Sequence, residues 1–192
     1  MKRRAYLAAV GTAASAGLAG CVGVDGPDAD GGPDDRGPAG DGSTAGSDAT
    51  PTGTDRGLVL PTVSAPGSPS GTVGLSPPDR AVLVDFFATW CAPCKPEMDN
   101  LRRVRERFDE TALAVVSVTQ ESDEAAIRSF WRRHDGTWPV ARDPELAATQ
   151  AYDVTGIPTV VVQTPSGETT LRHTGLAGTD RLVAGVERAL QS

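Results

Sequence analysis

Apolar residues are concentrated in the last two thirds of the chain, where their spacing changes several times. Residues 81–87 and 112–119 are almost continuously apolar, as strands covered on both faces of a sheet are. Residues 58–60 and 72–75 are shorter apolar runs with prolines nearby, which predicts edge strands. Residues 138–140 predict one further short strand. The pattern therefore indicates two buried central strands among shorter ones.

Between these strands, apolar residues recur every three or four positions, which predicts amphipathic helices. The predicted helices run from Cys91 or Ala92 to about Phe108, over residues 123–134, from Pro144 to Tyr152 and over residues 180–190, with Ser122, Asp143 and Thr179 as N-caps.

Residues 159–163 and 169–173 form a predicted hairpin, because Pro165 and Gly167 suit a tight turn between them. Strands that alternate with helices, followed by a hairpin and a last helix, predict an α/β fold with a mixed central sheet and helices on both faces.

The N-terminal 56 residues have a different composition. Residues 1–21 are typical of an export signal, with basic Lys2, Arg3 and Arg4 before a short apolar stretch that ends in Leu-Ala-Gly-Cys. This ending resembles a lipobox, in which Cys21 is lipidated after cleavage, and the adjacent arginines are compatible with twin-arginine export. The alternative is an uncleaved anchor. Both interpretations tether the remaining chain outside the cytoplasmic membrane.

Residues 22–56 are rich in Gly, Asp, Pro, Ser and Thr and hold eight aspartates against two arginines. Such a segment cannot bury enough apolar surface to offset its conformational entropy, so we expect a disordered acidic linker before a domain over residues 57–192.

The formal net charge of the whole chain is −7, which argues against nucleic acid as a partner. Lys2 and Lys95 are the only lysines. An acidic, lysine-poor chain is expected of a halophilic source or, equally, of a GC-rich genome.

The clearest chemical motif is Trp90-Cys91-Ala92-Pro93-Cys94-Lys95, directly after the predicted strand 81–87. Two cysteines with two residues between them at the start of a helix are typical of a redox dithiol. Free N–H groups and the helix dipole favour a thiolate there, and the thiolate is the nucleophile. We expect Cys91 to attack and Cys94 to resolve. Half of a zinc site is the alternative, but Cys21, His134 and His173 lack ligand spacing, so no metal is expected.

Residues 82–95 resemble the active-site strand and loop of the thioredoxin superfamily, and Thr155-Gly156-Ile157-Pro158-Thr159 resembles its cis-proline loop. The residues Cys94-Lys95-Pro96-Glu97-Met98 and the extra helix and strand before Pro158 resemble the membrane-tethered TlpA/ResA-like thiol-disulfide oxidoreductases. This resemblance covers about residues 57–192. It implies a thioredoxin-like fold, a redox-active disulfide and no cofactor.

Two acidic residues flank the dithiol in sequence. Asp85 interrupts an apolar strand, so burial should raise its pKa and let it accept the proton of Cys94, as the matching aspartate of thioredoxins does. TlpA/ResA-like proteins often have asparagine here, and the alternative is an exposed strand end. Glu97 matches the active-site glutamate of ResA-like proteins, although a surface glutamate near the helix N-terminus remains an alternative.

The resemblance also assigns residues that would contact a partner. Pro158 is expected to be cis, with Ile157 offering its backbone to an extended client segment. Trp90 is expected to cover the dithiol and present an apolar contact. Pro93 is expected to stiffen the ring and favour a reducing poise. We assign Trp131, Trp138 and Tyr152 to the core, and His134 and His173 to the surface.

Together these features predict a monomeric, membrane-tethered oxidoreductase that reduces disulfides in client proteins and receives electrons from a membrane thiol carrier. Cytochrome c maturation is a frequent task of the family. Two alternatives remain open: an oxidant that forms disulfides, and a binding or chaperone-like module in which the disulfide is inert.

Overall fold

The computed structural model describes residues 57–192, in which seven strands and four helices form the fold. The export signal, Cys21 and the acidic linker lie outside the described residues. In chain order the elements are β1 (Val59–Thr62), β2 (Gly71–Gly74), β3 (Ala81–Phe86), α1 (Cys94–Arg107), β4 (Leu113–Thr119), α2 (Glu124–Arg133), β5 (Val140–Arg142), α3 (Ala147–Ala151), β6 (Thr159–Gln163), β7 (Thr169–Thr174) and α4 (Thr179–Leu190).

The strands form one mixed sheet in the order β2-β1-β5-β4-β3-β6-β7. Strand β3 pairs parallel with β4 and antiparallel with β6. Strand β5 pairs parallel with β4 and antiparallel with β1. The antiparallel pairs β1–β2 and β6–β7 form the two outer parts of the sheet. The predicted mixed α/β architecture is confirmed, with α2 and β5 as the predicted insertion before the Pro158 loop.

The sheet separates two apolar layers. Helices α1, α2 and α4 cover one face and pack on alternate strand residues such as Ala81 and Leu83. Helix α3 and the residue that follows it, Tyr152, cover the other face against Val82, Val84 and Phe86. Because side chains alternate along a strand, Asp85 belongs to the face that carries α1 and α4. The carboxyl group of Asp85 therefore lies in the layer between the sheet and helices α1, α2 and α4.

Three predicted helix caps require correction. Asp123, not Ser122, caps α2, because its carboxylate accepts hydrogen bonds from the N–H groups of Ala125 (2.9 Å) and Ala126 (3.0 Å). Gly178 occupies the cap position of α4, and the Thr179 hydroxyl instead donates to Asn100 on α1.

Asp143 does not occupy a cap position, because α3 begins at Ala147 and not at Pro144, and its cap residue is Leu146. The Asp143 carboxylate accepts from the N–H groups of Ala148 (3.2 Å) and Thr149 (2.8 Å), so the intervening residues form a turn. The helix begins later than predicted because the Asp143 carboxylate accepts from N–H groups that lie beyond this turn.

Two strand predictions were also wrong in detail. β1 is not an edge strand, because Thr62 pairs with Ala141 of β5 and the N–H of Val63 donates to Val140 O at 2.9 Å. Strand β5 begins at Val140, two residues later than predicted. Pro139 has no N–H to donate to a strand partner, although its carbonyl oxygen accepts from Ser117.

Trp131, Trp138 and Tyr152 are buried as predicted, with exposed fractions of 0%, 0% and 2%. The ring of Trp131 packs against those of Trp138 and Phe87, at centroid distances of 5.1 and 5.8 Å. This aromatic group therefore packs against Phe87, the first residue of the segment that connects β3 to Cys91.

No helix within residues 57–192 is long and apolar enough to cross a lipid bilayer.

The aromatic group depends on a close approach at Gly136, where a Cβ atom would overlap the indole ring of Trp131. Gly136→Ala should lower the free energy of unfolding by about 1–3 kcal/mol, since a packed ring must shift to make room. Urea unfolding measures this. Gly74→Ala is the matched control, because a Cβ there meets only the carbonyl oxygen of Leu58 at 4.0 Å. Equal stability of the two variants would contradict the packing argument.

Candidate active site

Cys91 and Cys94 form a disulfide between the end of β3 and the start of α1. The S–S distance is 2.02 Å and the Cα atoms are 5.3 Å apart. Helix α1 begins at Cys94, with Pro93 in the cap position, and not at Cys91 or Ala92 as predicted. Cys91 therefore lies in the turn before the helix, where its N–H donates to Ala88 O at 3.1 Å. Because its sulfur is bonded to that of the first helical residue, the disulfide still lies at the N-terminal end of α1.

The Pro158 loop lies beside the end of β3. The Ile157–Pro158 peptide bond is cis, as predicted. The next residue, Thr159, pairs with Phe86, the last residue of β3, so the loop meets the segment that leads to Cys91. The Pro158 carbonyl oxygen accepts from the N–H of Gly175 at 2.8 Å, which ties the loop to the segment after β7. Ile157 is half-buried.

Asp85 is buried, with 1% of its surface exposed, so the alternative of an exposed strand end is wrong. Its Oδ2 accepts a hydrogen bond from the Ser117 hydroxyl at 2.8 Å, and its Oδ1 has no partner among the described residues. Burial raises the pKa of Asp85 from 3.8 to about 7, against the opposing effect of the Ser117 hydrogen bond. This carboxyl group can therefore exchange a proton near neutral pH.

Glu97 is also 1% exposed, which overturns the alternative of a surface glutamate. Its Oε2 accepts from the N–H of Ala177 at 2.9 Å, and its Oε1 has no partner within residues 57–192. Burial raises the pKa of Glu97 to about 8, although the Ala177 hydrogen bond lowers it, and the charge of Asp85 raises it further. The two carboxyl groups thus interact and titrate as a pair.

A groove of about 390 Å³ opens between residues 86–90, which lead from β3 to Cys91, and the Pro158 loop. Its lining residues are mostly apolar or small: Phe86, Phe87, Ala88, Trp90, Val118, Thr119, Gln120, Glu121, Thr149, Val154, Thr155, Gly156 and Ile157. Trp90 stands at its edge with 72% of its surface exposed, as an apolar contact surface would be. Pro93 is also exposed, in the turn between the two cysteines.

Comparisons with known proteins agree with this geometry. The family model described as Redoxin matches residues 45–184 of the chain. The chain belongs to the Redoxin family.

The thiol-disulfide oxidoreductase ResA of Oceanobacillus iheyensis is 31% identical to this Redoxin protein over 103 residues, which cover 54% of each chain. ResA of Bacillus subtilis is 28% identical over 96 residues, 50% of this chain and 54% of that protein. The chain thus spans about half the length of the curated relatives it matches. The predicted resemblance to ResA-like proteins is confirmed.

A solved structure extends the likeness to the fold. StoA from Bacillus subtilis matches 66% of this chain and 92% of its own with a TM-score of 0.56, at 18% identity. At this identity the match concerns the fold alone. The predicted thioredoxin-like fold of this Redoxin protein is confirmed.

Ser117 is a site residue that the sequence reasoning missed. Its hydroxyl oxygen accepts a hydrogen bond from Trp138 Nε1 at 2.9 Å and its proton goes to Asp85. An indole nitrogen only donates, so this chain of contacts has a fixed direction. The available signal was the polar residue inside the apolar run 112–119, since parallel pairing places Ser117 opposite Asp85.

Glu121 and Thr89 were missed as well. Glu121 follows β4, and its carboxylate accepts from both the N–H and the hydroxyl of Thr89, each at 2.7 Å. Because β3 and β4 are parallel, their carboxyl ends meet at the same edge of the sheet, and an acidic residue there was the available signal.

The histidines do not join the dithiol in a ligand set. His134 is half-buried, and its ring packs on Phe130 with a centroid distance of 4.5 Å. Burial lowers its pKa, as do the nearby charges of Arg133 and Lys95. His173 is half-buried on β7, and its Nε2 lies 3.3 Å from Leu176 O. The two sulfurs of the CxxC motif are bonded to each other.

Asp85 should make the stability of the oxidised protein depend on pH. Below about pH 4 its carboxyl group is protonated in both the folded and the unfolded chain. Between pH 4 and 7 the unfolded chain releases the proton while the folded protein retains it, so stability falls as pH rises. Between pH 4 and 8, Asp85→Asn should gain up to about 4 kcal/mol over the wild type in unfolding free energy.

Urea unfolding of both oxidised proteins at several pH values measures this difference. Asp109→Asn changes an exposed carboxyl group and should follow the wild-type curve. Parallel curves for Asp85→Asn and the wild type would show that Asp85 is ionised throughout.

Proposed function

We propose that this protein is an extracytoplasmic, membrane-tethered thiol-disulfide oxidoreductase that reduces disulfides in client proteins. The observation that carries the proposal is the Cys91–Cys94 disulfide at the end of β3, beside the cis-Pro158 loop. A disulfide that only braced the fold would not require a groove lined by the residues before Cys91, an exposed tryptophan next to Cys91, and buried carboxyl groups on β3 and α1, the two elements that flank the disulfide.

The reaction begins with both cysteines reduced. The Cys91 thiolate attacks one sulfur of a client disulfide, which forms a mixed disulfide and releases the other client sulfur as a thiolate. Cys94, deprotonated, then attacks the Cys91 sulfur. This forms the Cys91–Cys94 disulfide and releases the second client thiol, so that two electrons pass from the protein to its client.

The second attack requires a base for the Cys94 proton. Asp85 and Glu97 are the buried carboxyl groups suited to this role, because their pKa values of about 7 and 8 lie close to neutral pH. Each also retains one oxygen with no hydrogen-bond partner among the described residues, which leaves a position for the proton. The pair accepts the proton as coupled groups.

The groove supports binding of an extended client segment. Trp90 provides apolar contact area on one side, and the backbone of Ile157 lies on the other. A client segment that pairs with the Ile157 backbone would hold its disulfide over Cys91. Pro93, exposed between the cysteines, limits the flexibility of the ring.

The exchange uses the Cys91–Cys94 pair as its redox group and includes no cofactor. Reduction outside the cytoplasm needs electrons from another protein, for which a membrane thiol carrier is the proposed donor. Lipidation of Cys21 is the proposed tether, and a monomer is the proposed state. Apocytochromes c are one client class compatible with this chemistry.

Reduction of insulin disulfides by dithiothreitol tests the activity. The protein should accelerate it, and Cys91→Ser should not. Equal rates with the two proteins would support the alternative of a binding module with an inert disulfide. A measured reduction potential far above that of thioredoxin would show that the protein is an oxidant.

Glu97→Gln tests the proton acceptor. The variant should reduce insulin about 10-fold more slowly or worse, because neutral glutamine cannot accept the Cys94 proton. In the wild type the rate should rise between pH 7 and 8 as Glu97 ionises, and this rise should weaken in the variant. Glu106→Gln, exposed on the same helix, is the matched control. An unchanged pH profile in Glu97→Gln would exclude Glu97 as a base.

A further inference from the structure

The carboxylate of Glu121 receives three hydrogen bonds beside the active-site loop. Its Oε2 accepts from the N–H of Thr89 at 2.7 Å and from the Thr119 hydroxyl at 3.2 Å. Its Oε1 accepts from the Thr89 hydroxyl at 2.7 Å. Hydrogen bonds to an ionised acceptor are stronger than those between neutral groups, so Thr89 is held by two strong contacts from one side chain.

These contacts continue the pairing of β3 and β4 beyond the end of the sheet. The last backbone contact between the two segments is the Phe87 N–H to Val118 O, at 3.0 Å. Thr89, two residues later, no longer pairs with the backbone of β4. Its N–H donates instead to the Glu121 side chain, which takes the place of a backbone acceptor.

The residues that follow Thr89 are Trp90, which lines the groove, and Cys91, the proposed nucleophile. The Cys91 N–H donates to Ala88 O, so residues 88–91 form a closed turn. Thr89 is the point at which this turn is attached to β4. Without Glu121 the Thr89 N–H would lose its acceptor, and the turn would be free to shift together with Trp90.

We propose that Glu121 is a positioning residue that holds the active-site turn in the orientation needed to bind protein clients. The inference rests on the proposed function, because it assigns Glu121 a part in client reduction. Glu121 acts through Thr89 and does not touch the reacting sulfurs. It is also the only ionisable side chain among the groove-lining residues named above, so the contact places a negative charge at the client surface.

Tryptophan fluorescence reports the turn directly. The chain has three tryptophans, of which Trp131 and Trp138 are 0% exposed and Trp90 is 72% exposed. Acrylamide quenching therefore measures mainly the access and mobility of Trp90. Glu121→Ala should change the quenching constant in the oxidised protein, whereas Glu145→Ala, an exposed glutamate on another loop, should not.

Kinetics separate positioning from chemistry. Glu121→Ala should reduce insulin disulfides about 10-fold more slowly, because misplacement of the turn affects a large client that must fit the groove. Reaction of the reduced protein with oxidised glutathione should stay within about twofold of the wild type, because this small disulfide requires little of the groove. Glu121→Gln should recover most of the insulin activity, since its amide oxygen can still accept from the Thr89 N–H.

Thr89→Val tests the same contact by changing the donor residue instead of the acceptor. It removes the hydroxyl donor and keeps the backbone donor, so its effects on quenching and insulin reduction should be smaller than those of Glu121→Ala. It also serves as a test if Glu121→Ala does not fold.

Quenching and insulin rates equal to those of Glu145→Ala would overturn the proposal. Equal losses with insulin and with oxidised glutathione would also overturn it, because they would show a general effect on the thiol chemistry. If the wild type reduces no disulfide, the proposed function fails, and the quenching of the Glu121 and Thr89 variants still decides whether Glu121 holds the turn.

Discussion

The pairing of β3 with both of its neighbours is the constraint on which the site depends. Parallel pairing with β4 sets Asp85 opposite Ser117, and antiparallel pairing with β6 sets Phe86 opposite Thr159. A shift by one residue would turn Asp85 to the other face of the sheet and displace the Pro158 loop from the cysteines. The two cysteines, Asp85 and the Pro158 loop are therefore aligned by the same backbone hydrogen bonds.

Burial of the carboxyl groups of Asp85 and Glu97 opposes folding above about pH 4 and most strongly above neutral pH, because a charged group loses hydration in the interior. Each receives one hydrogen bond, from Ser117 or from Ala177, which offsets only part of that loss. The large apolar layer formed with α1, α2 and α4 tolerates this cost. Under the proposed function, activity and stability therefore make opposite demands on Asp85 and Glu97, as is common in active sites.

Much of the fold was predictable because its signals are local. The continuous apolar run at 81–87, the CxxC spacing and the Ile157–Pro158 pair identified the central strand, the disulfide and the cis loop. Helix starts were less predictable, since Asp123 competes with Ser122 and the Asp143 carboxylate accepts from N–H groups that lie beyond a turn. The contacts of Ser117 and Glu121 depend on the register between strands distant in sequence, which periodicity alone does not provide.

The contact of Trp138 with Ser117 has one further consequence, for the path that protons follow. An indole N–H neither accepts a proton nor releases one at ordinary pH, so the route from Asp85 through Ser117 ends at Trp138. A proton taken up by Asp85 must therefore leave by the other carboxylate oxygen, Oδ1. Oδ1, which has no hydrogen-bond partner among the described residues, is thus the position at which Asp85 can exchange a proton with its surroundings.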